Sequence, residues 1–256
     1  MNKLKRILCI CSLSTFSLPA IGVEISWIDF FLWNTGSLSQ NNLAASNGLT
    51  LNASFSGVSN MGAGSPWGDS FLVNDPAWPF SNNVIPYVGV QSSGSTTLTT
   101  TLTLDFTSTG GLPSGGSIGI ADLEDPSSSV TLTGLSGGST VSVDWAIAFY
   151  QTLGVQSPPP AWNPASSTLR GNIPISQAPD TVNNFAFLVT NIPLDSVSLQ
   201  ITTVSGDGVA FSASSETVPP KSIPAPSVIL LLCWAVPGFW VSHTLRDQLS
   251  SQRKLV

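Results

Sequence analysis

Thr97-Leu98-Thr99-Thr100-Thr101-Leu102-Thr103-Leu104-Asp105-Phe106 decides the fold class. Its leucines fall on one face of an extended chain and most of its threonines on the other, the period-two pattern of a half-buried strand. Threonine reinforces that reading, because two heavy atoms on Cβ suit the pleated surface better than a helix. Outward from this stretch, similar patterns predict strands over residues 25–33, 49–55, 116–121, 130–135, 141–149, 185–189, 197–204 and 209–212. Gly137-Gly138 joins two of these runs as a hairpin-like turn, and Gly206-Asp207-Gly208 joins the last two. No helical periodicity continues over three turns. Residues 145–153 come nearest, but their β-branched and aromatic lead-in argues for strand. About eight to eleven short strands between Gly, Ser and Pro turns predict an all-β chain, a single β-sandwich or jelly-roll domain without internal repeats.

Two long segments interrupt the pattern and read as loops. Residues 57–83 carry Trp67, Trp78 and Phe80, and residues 156–168 carry Pro158-Pro159-Pro160 and Trp162. Loops of this length tend to serve function or to be disordered. Trp27, Trp33 and Trp145 lie within strand patterns and read as core. Trp67, Trp78 and Trp162 are therefore the candidate ligand-binding residues, as flat aromatic faces able to stack on sugar rings; the competing role is to cap a core or pin a loop.

Charge and residue inventory exclude more than they include. Between Val23 and Pro220 the only cation is Arg170, against thirteen of the fourteen acids, Asp247 lying beyond. Nucleic-acid binding is excluded, because neutralising phosphates needs clustered Lys and Arg. His243 is the one histidine; Cys9, Cys11 and Cys233 lie near the two ends, and no lysine occurs between Arg6 and Lys221. The intervening domain thus has no imidazole, thiol or amine for nucleophilic catalysis, no His/Cys zinc ligands and no disulfide. Only carboxylate chemistry remains, so the expected protein is not an enzyme, with a carboxylate-dependent glycan hydrolase as an alternative. Asp122, Glu124 and Asp125 end the strand at 116–121. They are the candidate metal ligands, hard oxygens suited to Ca²⁺; the simpler reading is a solvated strand end before an Asp125-Pro126-Ser127 turn.

Both ends read as processing signals. Lys3, Lys5 and Arg6, an apolar stretch over 7–18 and Ala20-Ile21-Gly22 form a signal peptide over residues 1–22. A dozen residues make only about 18 Å of helix, too short to span a bilayer core of roughly 30 Å. At the other end, Pro224-Ala225-Pro226-Ser227 precedes an apolar run over 228–241 and a tail with Arg246, Arg253 and Lys254. The cations would hold that tail on the cytoplasmic side and the main domain outside. This three-part tail resembles the PEP-CTERM sorting signal of Gram-negative bacteria, with Pro-Ala-Pro in place of the usual Pro-Glu-Pro. The resemblance implies an exosortase-type processing enzyme as partner, transient residence in the inner membrane and final placement at the cell surface or outside, in association with exopolysaccharide. The expected organisation is a signal peptide over 1–22, a β-sandwich over 23–217, and a proline-rich linker, sorting motif, transmembrane segment and basic tail over 218–256. The expected function is a non-enzymatic surface or matrix protein, with a carbohydrate-binding module using the loop tryptophans as an alternative.

Overall fold

A computed structural model describes residues 24–73, 78, 80, 81, 83–151, 160–172, 185–204 and 206–219. The chain divides into two units, Met1–Pro220 and Lys221–Val256, and the described residues all belong to the first. The leader at 1–22, the Pro224-Ala225-Pro226-Ser227 motif and the apolar run at 228–241 lie outside them. Among the described residues, no helix is long and apolar enough to cross a membrane.

Among the described residues, fourteen strands, numbered in chain order, form two sheets in which every pairing is antiparallel. The first sheet runs β1 (Ser39–Ala44), β2 (Thr50–Ser59), β5 (Thr97–Asp105), β13 (Ser196–Val204), β7 (Ser129–Ser136), β11 (Thr168–Arg170) and β10 (Ala161–Asn163), with β8 (Ser139–Val141) also paired to β7. The second runs β3 (Trp67–Leu72), β4 (Val84–Gln91), β14 (Gly208–Ser214), β6 (Ser117–Ala121), β12 (Phe185–Val189) and β9 (Ala146–Gln151). The last two of the described strands, β13 and β14, therefore sit inside the two sheets rather than at their edges.

The first sheet behaves as its sequence predicts. Leu98, Leu102 and Leu104 of β5 are buried, as are Val197, Leu199 and Ile201 of β13 and Val130 and Leu132 of β7. Their hydroxyl-bearing neighbours line up across the opposite face. Thr103 pairs with Ser54 and Ser198, and Ser198 pairs in turn with Thr133. One row further on, Thr131 and Thr168 share a hydroxyl hydrogen bond of 2.9 Å. The inward side chains meet Val88, Val90, Ile118, Ile120, Leu188, Val209 and Phe211 of the second sheet in one core between the layers.

The second sheet is different, because both of its faces are covered. Every residue of β6 and β14 is buried. Its outer face carries a separate apolar cluster in which Ile25, Trp27, Phe71, Ile85, Ala121, Phe187 and Ala210 are buried and Trp78, Phe80 and Tyr87 pack against them. The N-terminal segment is laid along this face: Ile28 N–H bonds to the Ala213 carbonyl at 2.9 Å and Ser214 Oγ to the Ser26 carbonyl at 2.7 Å. Residues 25–33 are thus not the expected strand. They form an extended lead-in and a short 3₁₀ turn over Phe30–Leu32, which Asp29 caps by accepting from the Phe31 N–H. The expected 141–149 strand is also two, β8 and β9, in different sheets.

Rings fit over this outer face because the strands beneath them carry small residues. A Cβ on Gly119 would lie 2.8 Å from the Phe187 ring and closer still to Ser212 Oγ. Ser212 is fully buried, and its hydroxyl has no hydrogen-bond partner. Gly119→Ala should therefore lower stability by about 1–3 kcal/mol through overpacking. Ser212→Ala should be close to neutral and should recover part of that loss in the double variant, as read from denaturant melts.

Candidate functional site

The edge of the second sheet holds a cleft of about 180 Å³, lined among others by Trp67, Phe71, Tyr87, Ala121, Asp122 and Ala210. Period two places Trp67 and Phe71 on one face of β3, and Tyr87 and Gly89 on the same face of β4. Trp67 pairs directly with Gly89, where a Cβ would come 2.7 Å from the six-membered half of the indole, so glycine lets the ring rest on the backbone. The Trp67 side chain lies within reach of the Tyr87 hydroxyl and favours its ionised form. Tyr87 also stacks on Phe71, with centroids 5.8 Å apart and an interplanar angle of 28°. Burial raises the Tyr87 pKa; the Trp67 side chain opposes this, and the nearby Asp69 and Asp122 carboxylates add to it.

Asp122 enters the cleft from the far side. It follows β6 in the left-handed region at φ 60°, a conformation that Asp tolerates better than most residues. Its carboxyl is held above the usual range by burial. Behind it lies Asp207, on the turn that carries the chain from β13 in one sheet to β14 in the other. Asp207 is 6 % exposed; Ser128 Oγ donates to its Oδ2 at 2.5 Å and Asp125 N–H at 3.4 Å. Burial pushes Asp207 up to about 6; the bonds from Ser128 and Asp125 oppose the rise, and the charges of Asp122 and Asp125 assist it. Ser128 Oγ also accepts from Val204 N–H at 3.3 Å, so one hydroxyl ties the 122–128 loop to both sides of the crossover.

The three proposed ligand tryptophans do not converge on one site. Trp67 opens strand β3 rather than lying in a loop, and it alone of the three lines the cleft. Trp78 packs into the outer cluster, 5.0 Å from Phe80 and 5.4 Å from Phe187 between ring centroids. Trp162 belongs to β10 in the other sheet and packs against the central core. The candidate metal ligands separate in the same way. Asp122 faces the cleft, whereas Asp125 Oδ1 accepts from Ser127 N–H at 2.7 Å, closing the turn before Ser128. The carbonyls of Glu124 and Asp125 press on Gly171, where a Cβ would clash with both. Among the described residues no three of His, Cys, Asp and Glu form a group that could hold a metal ion, so the Ca²⁺ expectation gains nothing from the geometry. Sequence reasoning missed Tyr87 and Asp207. Asp207 looked like a turn residue between two glycines, and nothing local marks it as buried.

A second, wider groove of about 460 Å³ runs beside the N-terminal segment past Glu24, Ser26, Trp27, Asp29 and Ser46. Its polar groups are largely engaged: Ser26 Oγ and Ser46 Oγ bond to each other at 2.8 Å, and Asp29 caps the 3₁₀ turn. No protein-family model matches the chain, and no curated protein or solved structure matches it either.

Asp207 yields a prediction with a definite sign. Its folded pKa of about 6 exceeds the ordinary 3.8, so the folded state binds the proton more tightly than the unfolded chain does. The stability it contributes is full below about pH 4 and is lost as pH rises through about 6, roughly 3 kcal/mol in all. Asn accepts the same bonds without a charge. Asp207→Asn should therefore melt at a higher temperature than the wild type at pH 8, with the advantage disappearing near pH 4, as read from thermal melts across pH.

Proposed function

We propose that this protein is a non-enzymatic, exported surface or matrix component: a β-sandwich between a cleaved leader and a C-terminal sorting segment, which holds polysaccharide in the Trp67–Tyr87 cleft. The observation that carries the reading is the placement of Trp67 and Tyr87 side by side on one strand pair, with the Asp122 carboxyl across from them. Aromatic faces beside a hydrogen-bonding acid suit a sugar, whose C–H faces stack on rings while its hydroxyls donate. The hydroxyl rows on the outer face of the first sheet add a hydroxyl-rich surface compatible with a hydrated polysaccharide layer. The resemblance of the tail to PEP-CTERM signals supports the destination, with an exosortase-type enzyme as the processing partner.

The hydrolase alternative is weaker. A glycosidase needs two carboxyls flanking the scissile bond. Asp122 lines the cleft, but Asp207 is enclosed behind it and bonded to Ser128. Purified protein should therefore release no reducing sugar from a polysaccharide that it binds.

Two experiments test the proposal. Trp67→Ala should weaken polysaccharide binding in affinity electrophoresis by at least about fivefold, the equivalent of about 1 kcal/mol for a lost aromatic contact, while Trp162→Ala leaves binding unchanged. Equal loss in both variants would argue against the cleft. Intact-mass analysis of the protein from its host should show a product that begins near Val23 and lacks the segment after about Pro226. A surface product that retains Val256 would reduce the tail to a plain anchor.

A further inference from the structure

The cleft selects by charge as well as by shape. Its volume of about 180 Å³ lies below the roughly 300–1,000 Å³ of sites that enclose drug-sized ligands, so it takes one ring of a chain rather than an oligosaccharide. Asp122 is the charged side chain among those lining it. The carboxyls of Asp69 and Asp122 lie close enough to act on Tyr87, and that of Asp122 close enough to act on Asp207. Among the described residues Arg170 is the one cation, and it sits on β11 in the other sheet, paired in register with Ser129 and Ala161. The fold thus places a carboxyl near two aromatic rings, and among the described residues no positive side chain meets it.

We propose that the occupant supplies that charge, and that the cleft binds the 2-amino-2-deoxy sugar residues of a partly de-N-acetylated polysaccharide. This rests on the reading of the cleft as a saccharide site and names which saccharide. The ring's apolar face stacks on Trp67 and Tyr87, and the ammonium meets Asp122. A cation held within about 6 Å of an aromatic centroid gains further from the ring quadrupole, most of all from tryptophan. Small floor residues, Ala121 and Ala210, let the sugar approach the sheet. A uronate or sulfated sugar would bring like charge against Asp122 with no cation to offset it. N-acetylation would remove the charge and add bulk in a cleft already filled by one ring.

The test is isothermal titration of the full-length chain in detergent with three probes: an oligomer of glucosamine, the same oligomer fully N-acetylated, and an oligouronate. The glucosamine oligomer should bind about tenfold more tightly than its acetylated form, the least that a charge-assisted hydrogen bond contributes, and the oligouronate should not bind. Asp122→Asn should weaken glucosamine-oligomer binding about tenfold without lowering the melting temperature, since Asn also adopts the left-handed backbone. Equal affinity of the wild type for the acetylated and free-amine oligomers would overturn this assignment while leaving the cleft a saccharide site. Absence of binding by both would overturn the saccharide reading itself. Displacement of the glucosamine oligomer by oligolysine at equal or lower concentration would make a basic polypeptide the occupant and overturn the sugar assignment.

Discussion

Burial of one sheet on both faces is the constraint from which the rest of the molecule follows. A sheet with a solvated face can place any polar residue there; a sheet covered on both sides must find room for a second layer. Gly89, Gly119, Ala121, Ala210 and Ser212 supply that room by keeping the outer surface of β4, β6 and β14 almost flush with the backbone. Trp67 then settles on Gly89, and Phe187 settles over Gly119 between Trp27 and Trp78, with centroids 5.3 and 5.4 Å away. The rings substitute for a third layer of secondary structure. The cleft lies where that covering of rings gives way at the β3–β4 edge, so Phe71 and Tyr87 belong to both the cleft and the second core.

The carboxyls belong to the same economy of space. With no disulfide available in the domain, the two sheets are joined by packing and by a few buried polar groups. Ser128 and Asp207 form the clearest such link, since they fasten the loop after β6 to the turn between β13 and β14. A carboxyl there is costly when ionised, which is why its proton is held so firmly, but it accepts two donors that an apolar residue would leave unmet. Asp122 is fixed one step further out, close enough for its charge to bear on the ionisation of Asp207, and still open to the cleft.

Legibility of the sequence tracked the number of covered faces. β5, β13 and β7 each have one wet face, and their alternation could be read directly from the leucines and threonines. Strand β6 has no wet face, because Ser117-Ile-Gly-Ile-Ala is buried throughout. Strand β3 was lost inside what looked like a loop. Its Gly68 and Asp69 argue against strand by composition, but Gly68 is needed where the Phe30 carbonyl comes to within 2.0 Å of a would-be Cβ. The error at residues 25–33 has the opposite cause: Ile25, Trp27, Ile28, Phe30 and Trp33 are all buried, yet they are divided between the two cores rather than between two faces of a strand. For the site, aromatic composition was a sufficient signal for Trp67. Nothing local could show that Asp122 and Asp207, 85 positions apart, would stand together, because that meeting depends on the crossover between the sheets.

The order of strands has a kinetic meaning. In one sheet β13 separates β5 from β7, and in the other β14 separates β4 from β6. Until residues 196–214 have arrived, each sheet exists only as two halves with raw edges facing one another across a gap. Few of the decisive contacts are local, and chains of this kind fold slowly. A partly delivered chain therefore has no native-like stopping point in which to settle, and it stays pliable until its final strands are present. On the export route proposed above, late closure would keep the chain in the one state a narrow passage can accept.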